Sequence, residues 1–373
     1  MNTSNLTHLN PHQKAWLILA SAVKVGAGKW LDAIDKLHLD AIEITKMHGE
    51  GNLQNPKLAE LCQHINLQLV LRAEQWLAQS RSHHVVTITC EHYPRLLKQL
   101  KNPPLILFVL GNVTLLNAPQ VAIVGSRNSS FQGRDIAQGF AEQLVNHGVV
   151  VTSGLATGID ASAHKGAMIQ NAGTIAVMGT GPDKVYPTKN TALHQDIISA
   201  NGACITEFFP GVTANPWHFP RRNRIIAAMT LGTLVVEAKI KSGTLITANL
   251  AADMGREVFA VPGSISHAYS EGCHWLIQQG AKLVTRVDDI FDEIAVQPYA
   301  YLGKDNNISE KSEVNNLATD KLLDSVDYDT TAIDVIAQRC NMPVQQAMAE
   351  LLEYELRGLV AAIPGGYVKL RGK

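Results

Sequence analysis

The stretch Val121-Ala122-Ile123-Val124-Gly125-Ser126-Arg127-Asn128-Ser129-Ser130 constrains this chain more than any other. Its first four residues are apolar and predict a short strand buried on both faces. Phe131 to His147 then carries helical spacing, so the strand stops at a small-residue turn that feeds a helix N-terminus. Such a turn aims free backbone N–H groups and the positive end of the helix dipole at one spot, which suits an anion, usually a phosphate. The three-glycine fingerprint of dinucleotide folds is absent, and Arg127 stands in the loop instead.

The same pattern recurs downstream. Strands are expected at Val149–Thr152, Thr174–Met178, Ala203–Thr206, Leu234–Val236, Val258–Val261 and Lys282–Thr285, separated by helical segments such as Ala161–Gln170, Thr191–Ala200 and Leu245–Met254. This alternation predicts an α/β, Rossmann-like domain, a mostly parallel sheet covered on both faces. Ligands of such sheets bind beyond the carboxyl ends of the strands. The residues expected there are Gly125-Ser126-Arg127, the run from Ser153-Gly154 to Asp160, Gly179-Thr180-Gly181, and Lys241-Ser242-Gly243-Thr244. Glycine and small hydroxylated residues let backbone approach a ligand, and Arg and Lys supply countercharge. Four glycine-bearing turns on one rim predict a phosphate-binding edge, with Lys165 nearby on a predicted helix. His164 beside it reads as a capping or packing histidine.

The densest cluster of positive charge is Phe219-Pro220-Arg221-Arg222-Asn223-Arg224-Ile225-Ile226. Pro220 suits the first turn of a helix, so the arginines crowd its N-terminus, against the dipole, unless an anion binds there. Arg221 and Arg224 share a face, being three apart, and are expected to meet phosphate together with Asn223. Arg222 aligns with Ile226 and Met229, so it either joins them or pairs internally with a carboxylate such as Asp160 or Glu207.

At 373 residues the chain exceeds one ordinary core. The composition divides it into a helical domain over 1–82, the Rossmann-like domain over 83–297, a polar linker over 298–328 and a small domain over 329–373. In the first, Val23-Lys24-Val25-Gly26-Ala27-Gly28-Lys29 joins two helices. A Gly-rich turn of this kind contacts DNA backbone in helix-hairpin-helix modules, though a plain helix-ending turn is the simpler reading. In the last domain, Thr331–Cys340, Val344–Arg357 and a hairpin through Pro364-Gly365-Gly366 follow winged-helix order. Its second helix carries Glu350, Glu353 and Glu355 against Arg357 alone, which favours protein contact over duplex reading.

Net charge is −1, so any nucleic-acid site must be a local cluster. The five cysteines are scattered, with no pair at C-x-x-C spacing, which argues against zinc and disulfides and fits a reducing cytoplasm. No stretch reaches the roughly 18 apolar residues of a membrane span, and no signal pattern opens the chain.

Together, Gly125-Ser126-Arg127, Ser153-Gly154 through Gly158-Ile159-Asp160 with Ala163-His164, Tyr186-Pro187 with Asn190, Phe219 to Ile226, Ser242-Gly243-Thr244 through Thr247-Ala248, and Val261-Pro262-Gly263 resemble the DNA-processing protein A (DprA/Smf) family, over roughly 93–285. His274 departs from it, where the family usually has Asn. The resemblance implies a cytoplasmic, non-enzymatic protein without cofactor or metal. Such a protein binds single-stranded DNA during natural transformation, protects it and loads a RecA-type recombinase, as a homodimer built through the Rossmann-like domain. The alternative is a nucleotide-processing, phosphoribohydrolase-like enzyme, a group in which a Glu assists N-glycosidic cleavage. Thr247 stands in the position of that Glu.

Overall fold

The computed structural model describes residues 9–169, 173–265, 267–295, 321–326 and 330–370. The chain divides into two compact units, Met1–Gly303 and Lys304–Lys373.

The first unit opens with five helices, α1 (Pro11–Ala20), α2 (Ala27–Leu37), α3 (Ala41–Gly49), α4 (Pro56–Cys62) and α5 (Leu67–Leu77). Their starts are written locally. Asn10 with Gln13 and Asp40 with Glu43 form capping boxes, and Asn55 and Asn66 cap α4 and α5. These helices do not close a core of their own. Trp16, Leu17, Trp30 and Trp76 share one continuous apolar cluster with Leu107 and Phe108 of the sheet, so the core runs across the position near 82.

The sheet has nine strands: β1 (His83–Thr87), β2 (Ile106–Gly111), β3 (Gln120–Val124), β4 (Val150–Ser153), β5 (Thr174–Val177), β6 (Ala203–Thr206), β7 (Gly232–Val235), β8 (Glu257–Ala260) and β9 (Lys282–Leu283). Their order is β1-β2-β6-β5-β4-β3-β7-β8-β9. β2 runs antiparallel to both β1 and β6, and the other neighbours are parallel. The crossovers are α6 (Phe131–Asn146), α7 (Ile159–Ala167), α8 (Thr191–Ser199), α9 (His218–Met229), α10 (Gly243–Asp253) and α11 (Glu271–Gln278), with α12 (Asp288–Phe291) after β9.

The opening apolar run explains the layering. Val121 and Ile123 join the cluster that holds Ala137, Phe140 and Leu144 of α6, whereas Ala122 and Val124 join the one that holds Ile225 and Ile226 of α9. A strand buried on both faces has no polar side to spare. β3 is also where the chain reverses direction across the sheet. It passes outward through β4, β5 and β6, and α9 then carries it back to β7 on the other flank of β3. Loops leaving β3 and β7 diverge there and open a crevice at their carboxyl ends.

The antiparallel extension β1–β2 is the part that local patterning left out, apart from a strand near Val85. It is fixed by nonlocal packing: Trp76 of α5 meets Phe108 edge-on at 5.7 Å, and Phe108 meets Phe209 at 5.2 Å.

The second unit holds α13 (Lys321–Asp324), α14 (Ile333–Cys340), α15 (Val344–Leu356) and the hairpin β10 (Val360–Ile363) with β11 (Gly366–Lys369). Most of the polar stretch 298–328 lies outside the described residues. Where it is described, α13 buries Leu322 in the small domain's core.

Phe108→Ala removes the aromatic link between the helical layer and the sheet, at a side chain with no exposure. Urea unfolding of this variant is expected to show a loss of about 3–5 kcal/mol.

Candidate nucleic-acid interface

The turn after β3 does not offer its helix to an outside anion. Glu237, which follows β7, is buried with its carboxylate at the start of α6. It accepts from Ser130 N at 2.9 Å and from Ser130 Oγ at 2.5 Å, while Ser130 Oγ caps Gly133 N at 2.9 Å. Its backbone oxygen also takes Ser126 N at 2.7 Å. The anion predicted for this N-terminus is therefore the protein's own. The reason is nonlocal, because β7 lies beside β3.

The loop after β4 is fixed in the same self-contained way. Gly154 N and Ala156 N donate to Asp160 Oδ2 at 3.1 and 3.3 Å, and Leu155 N donates to His164 Nε2 at 3.4 Å. Asn190 Nδ2 donates to Leu155 O at 2.8 Å and Ala156 O at 3.1 Å, and Arg222 Nη1 donates to Gly154 O and to Val177 O of β5. Every backbone polar group from 154 to 156 is thus satisfied by a buried or half-buried side chain. This full accounting holds Leu155 at φ +57°, a left-handed conformation that costs of order 1–3 kcal/mol by itself. Gly154 is required here, because a Cβ would sit 2.6 Å from Arg222 Nη1. Gly158, at φ +78°, would drive a Cβ into Ser126 O.

The expected roles of three residues change accordingly. Ser153 Oγ donates to Ile123 O at 2.6 Å, Gly154 N is taken by Asp160, and Arg222 is 5% exposed. All three are supports. Burial pushes the Arg222 guanidinium down to about 10, which still leaves it a cation at neutral pH. Burial pushes the Asp160 carboxyl up, while Arg222 and the two N–H donors oppose that shift. His164 is pushed down to about 3, chiefly by burial and secondly by Arg222. Its tautomer follows from its partners. Thr174 Oγ1 spends its proton on Val151 O, so His164 Nδ1–H donates to Thr174 at 3.0 Å and Nε2 accepts from Leu155.

Above these supports lies a cleft of about 590 Å³ at the crevice between β3 and β7. Gly125, Ser126 and Arg127 line it from β3, Lys239, Lys241, Ser242, Gly243 and Thr244 from β7 and α10, and Phe219, Arg222 and Asn223 from α9. Two of its exposed cations sit against aromatic rings. Arg127 lies 5.6 Å from the Phe219 centroid, Phe219 lies 5.4 Å from Tyr186, and Lys239 Nζ lies 4.9 Å from the Tyr269 ring. Asn223 accepts from Arg222 Nε at 3.0 Å and donates to Gly243 O at 3.4 Å, which sets the start of α10 against α9. No side chain caps α10, and Ser242 Oγ is buried without a partner among the described residues. Unlike α6, this helix presents its positive end to the cleft.

A family model described as DNA recombination-mediator protein A matches residues 84–295, which include every residue of this cleft. The chain belongs to the DNA recombination-mediator protein A family. A second model, the DprA winged helix domain, matches residues 313–366. Protein Smf of Escherichia coli is 41% identical over 298 residues, covering 79% of each chain. DNA processing protein DprA of Streptococcus pneumoniae is 47% identical over 201 residues, or 54% of this chain and 71% of that one. Among solved structures, DNA processing protein A of Streptococcus pneumoniae superposes with TM-score 0.62 at 34% identity, covering 78% of this chain and all (100%) of that one. A Helicobacter pylori structure of DNA processing protein A, which concerns that protein's single-stranded DNA binding mode, superposes with TM-score 0.51 at 27% identity over 56% of this chain and 94% of that one.

Three basic residues expected at the rim of this family member lie elsewhere. Arg221 donates from Nε and Nη2 to the Glu207 carboxylate at 3.0 and 2.9 Å, and Arg224 Nη2 reaches the same carboxylate at 2.6 Å. Helix α9 begins at His218, which puts Pro220 in its first turn as expected, and positions 221 and 224 lie on a different side from the one formed by 219, 222, 223 and 226. Glu207 supplies the anion that the crowded helix start demanded. Lys165 is on the exposed side of α7, outside the cleft lining. His274 donates from Nε2 to Gly263 O at 3.0 Å, so it braces the Val261-Pro262-Gly263 turn. Lys239 and Tyr269 were missed in the sequence. Lys239 follows the end of a predicted strand, which is the signal that could have found it.

His164 generates a pH prediction. Its folded value of about 3 lies below its ordinary 6.5, so the unfolded chain binds more protons between the two, and stability falls as pH drops through that window. Compared with His164→Gln, the wild type is expected to lose about 1.4 kcal/mol more per pH unit below pH 6 in urea titrations. A constant gap would remove His164 as the cause.

Proposed function

We propose that the cleft binds single-stranded DNA and that the protein acts in DNA processing during natural transformation, as a non-enzymatic mediator. The observation that carries this reading is the convergence of Arg127, Lys239 and Lys241 with Phe219, Tyr186 and Tyr269 on one cleft. Cations that track a backbone and rings on which bases stack are the two parts of a sequence-tolerant single-strand site. Family membership and the Helicobacter pylori relative support the same assignment. Protection of the strand, delivery to a RecA-type recombinase, a homodimer built through the Rossmann-like unit and a cytoplasmic location belong to this reading.

The hydrolase alternative is weaker. Thr247 is 2% exposed and does not titrate at neutral pH. Asp160, the carboxylate in the cleft lining, is spent on Gly154 N and Ala156 N and opposed by Arg222.

The test is a titration with single-stranded oligonucleotides at several salt concentrations. Alanine at Arg127, Lys239 or Lys241 is expected to weaken binding on every sequence and to flatten the salt slope by roughly 0.7 per lost phosphate contact. Alanine at Tyr186 or Phe219 is expected to cost about 1–3 kcal/mol with the slope unchanged. Arg224→Ala is expected instead to reduce folding stability by about 1.5–3 kcal/mol, through its bond to the buried Glu207. A flattened slope for Arg224→Ala with normal stability would overturn the assignment of Arg224 to a structural role outside this cleft.

The small domain's α15 adds no free cation beside its glutamates, since Arg357 pairs with Glu353 at 3.8 Å. A chain ending at Gly303 is therefore expected to keep single-strand affinity within about tenfold of the full chain. A larger loss in a folded truncation would make the small domain a DNA-binding element.

A further inference from the structure

A second cleft, of about 790 Å³, lies between α9 and the turn that joins α1 to α2. Lys24, Val25 and Gly26 line it on one side, and His218, Arg221 and Arg224 on the other. The two clefts share one wall. Phe219, Pro220, Arg222, Asn223 and Ile226 face the first, whereas His218, Arg221 and Arg224 face the second, so the N-terminal half of α9 is the ridge between them. Pro216 lines the first cleft and His218 the second. Between them, at the divide, stands Trp217, which is 83% exposed.

An indole left this far in solvent forfeits the burial that usually pays for so large an apolar side chain. The flanking charge says what would cover it. Arg221 and Arg224 share one carboxylate, Glu207, and Lys24 is exposed with no ion pair among the described residues. The second cleft therefore carries net positive charge. Arg221 also lies 5.4 Å from the Phe208 ring, against which His218 packs at 4.3 Å, so cations again adjoin rings as they do across the ridge. The turn and the ridge are held in register, since Gly28 N donates to Asn102 Oδ1 at 2.6 Å and Arg224 Nη1 donates to Asn102 O at 2.9 Å.

We infer that Trp217, Lys24 and Arg221 form a second subsite for the same single strand. A strand leaving the first cleft crosses the ridge by stacking a base on Trp217, and its phosphates then meet Lys24 and the outer edge of Arg221. The α1–α2 turn is thereby part of the DNA path, through an exposed lysine and not through a helix-hairpin-helix backbone contact. This rests on the assignment of the first cleft to single-stranded DNA.

The test compares oligothymidylates of about six and about twenty nucleotides, the shorter filling one cleft and the longer crossing the ridge. Fluorescence anisotropy with the full chain is read for Trp217→Ala, Trp217→Phe, Lys24→Ala and Arg127→Ala. Trp217→Ala is expected to weaken the long strand by roughly 5- to 150-fold and the short one little, with Trp217→Phe restoring most of the loss. Lys24→Ala is expected to flatten the salt slope by roughly 0.7 on the long strand alone. Equal losses on both lengths would overturn the second subsite. So would unchanged affinity in the Trp217 and Lys24 variants while Arg127→Ala weakens both lengths, a result that leaves the second cleft to a protein segment. Failure of Arg127→Ala to weaken either length refutes the reading of the first cleft instead.

Discussion

The guanidinium of Arg222 is buried among the ends of three elements. It donates to Gly154 O after β4 and to Val177 O at the end of β5, and its own backbone belongs to α9. Taking this cation out of water is costly, and the opposing charge of Asp160 together with the carbonyl acceptors offsets that cost. The arrangement is interlocked, since Asp160 holds the N–H groups of the loop whose carbonyl Arg222 holds. Removing either charge leaves the other buried with its backbone partners but without its opposite charge, which is destabilising. Because α9 carries one cleft on each side, the placement of this arginine sets the geometry of both.

Acidic residues elsewhere in the first unit serve a related purpose. Glu237 fills the N-terminus of α6, and Glu207 gathers Arg221 and Arg224. The start of α6, Arg222, and the pair Arg221 and Arg224 are each faced by a buried carboxylate. Arg127, Lys239, Lys241 and the start of α10 have no such carboxylate among the described residues and line one cleft together. A chain with net charge −1 thus presents a basic surface locally, by gathering cations on one rim while the arginines of α9 face the protein's own carboxylates.

Much of this was legible in the sequence. Alternating periods specified the parallel sheet, and the strand-end rule placed Gly125–Arg127 and Lys241–Thr244 on one rim. Local reasoning also found the dipole mismatch at Arg221 and Arg224, but the compensating Glu207 lies 14 and 17 residues away, beyond any helical or strand period. Glu237 was hidden for the same reason: its partner Ser130 is 107 residues distant. The strand β2 was obscured by Pro103 and Pro104 just before it, and its antiparallel neighbours are set by packing against Trp76 and Phe209.

The continuous core beneath the five helices has a further consequence. Helical layer and sheet bury the same apolar cluster, from Trp30 through Phe108 to Phe209, so the α1–α2 turn has no hinge on which to swing away from α9. The spacing of the two clefts is built before any ligand arrives. Binding a strand across them does not have to pay for closing one domain upon another, and the entropy lost falls mainly on the nucleic acid and a few exposed side chains, at about 0.5–1.5 kcal/mol each. Preorganisation of that kind lets a modest number of weak, sequence-blind contacts add up along a flexible polymer.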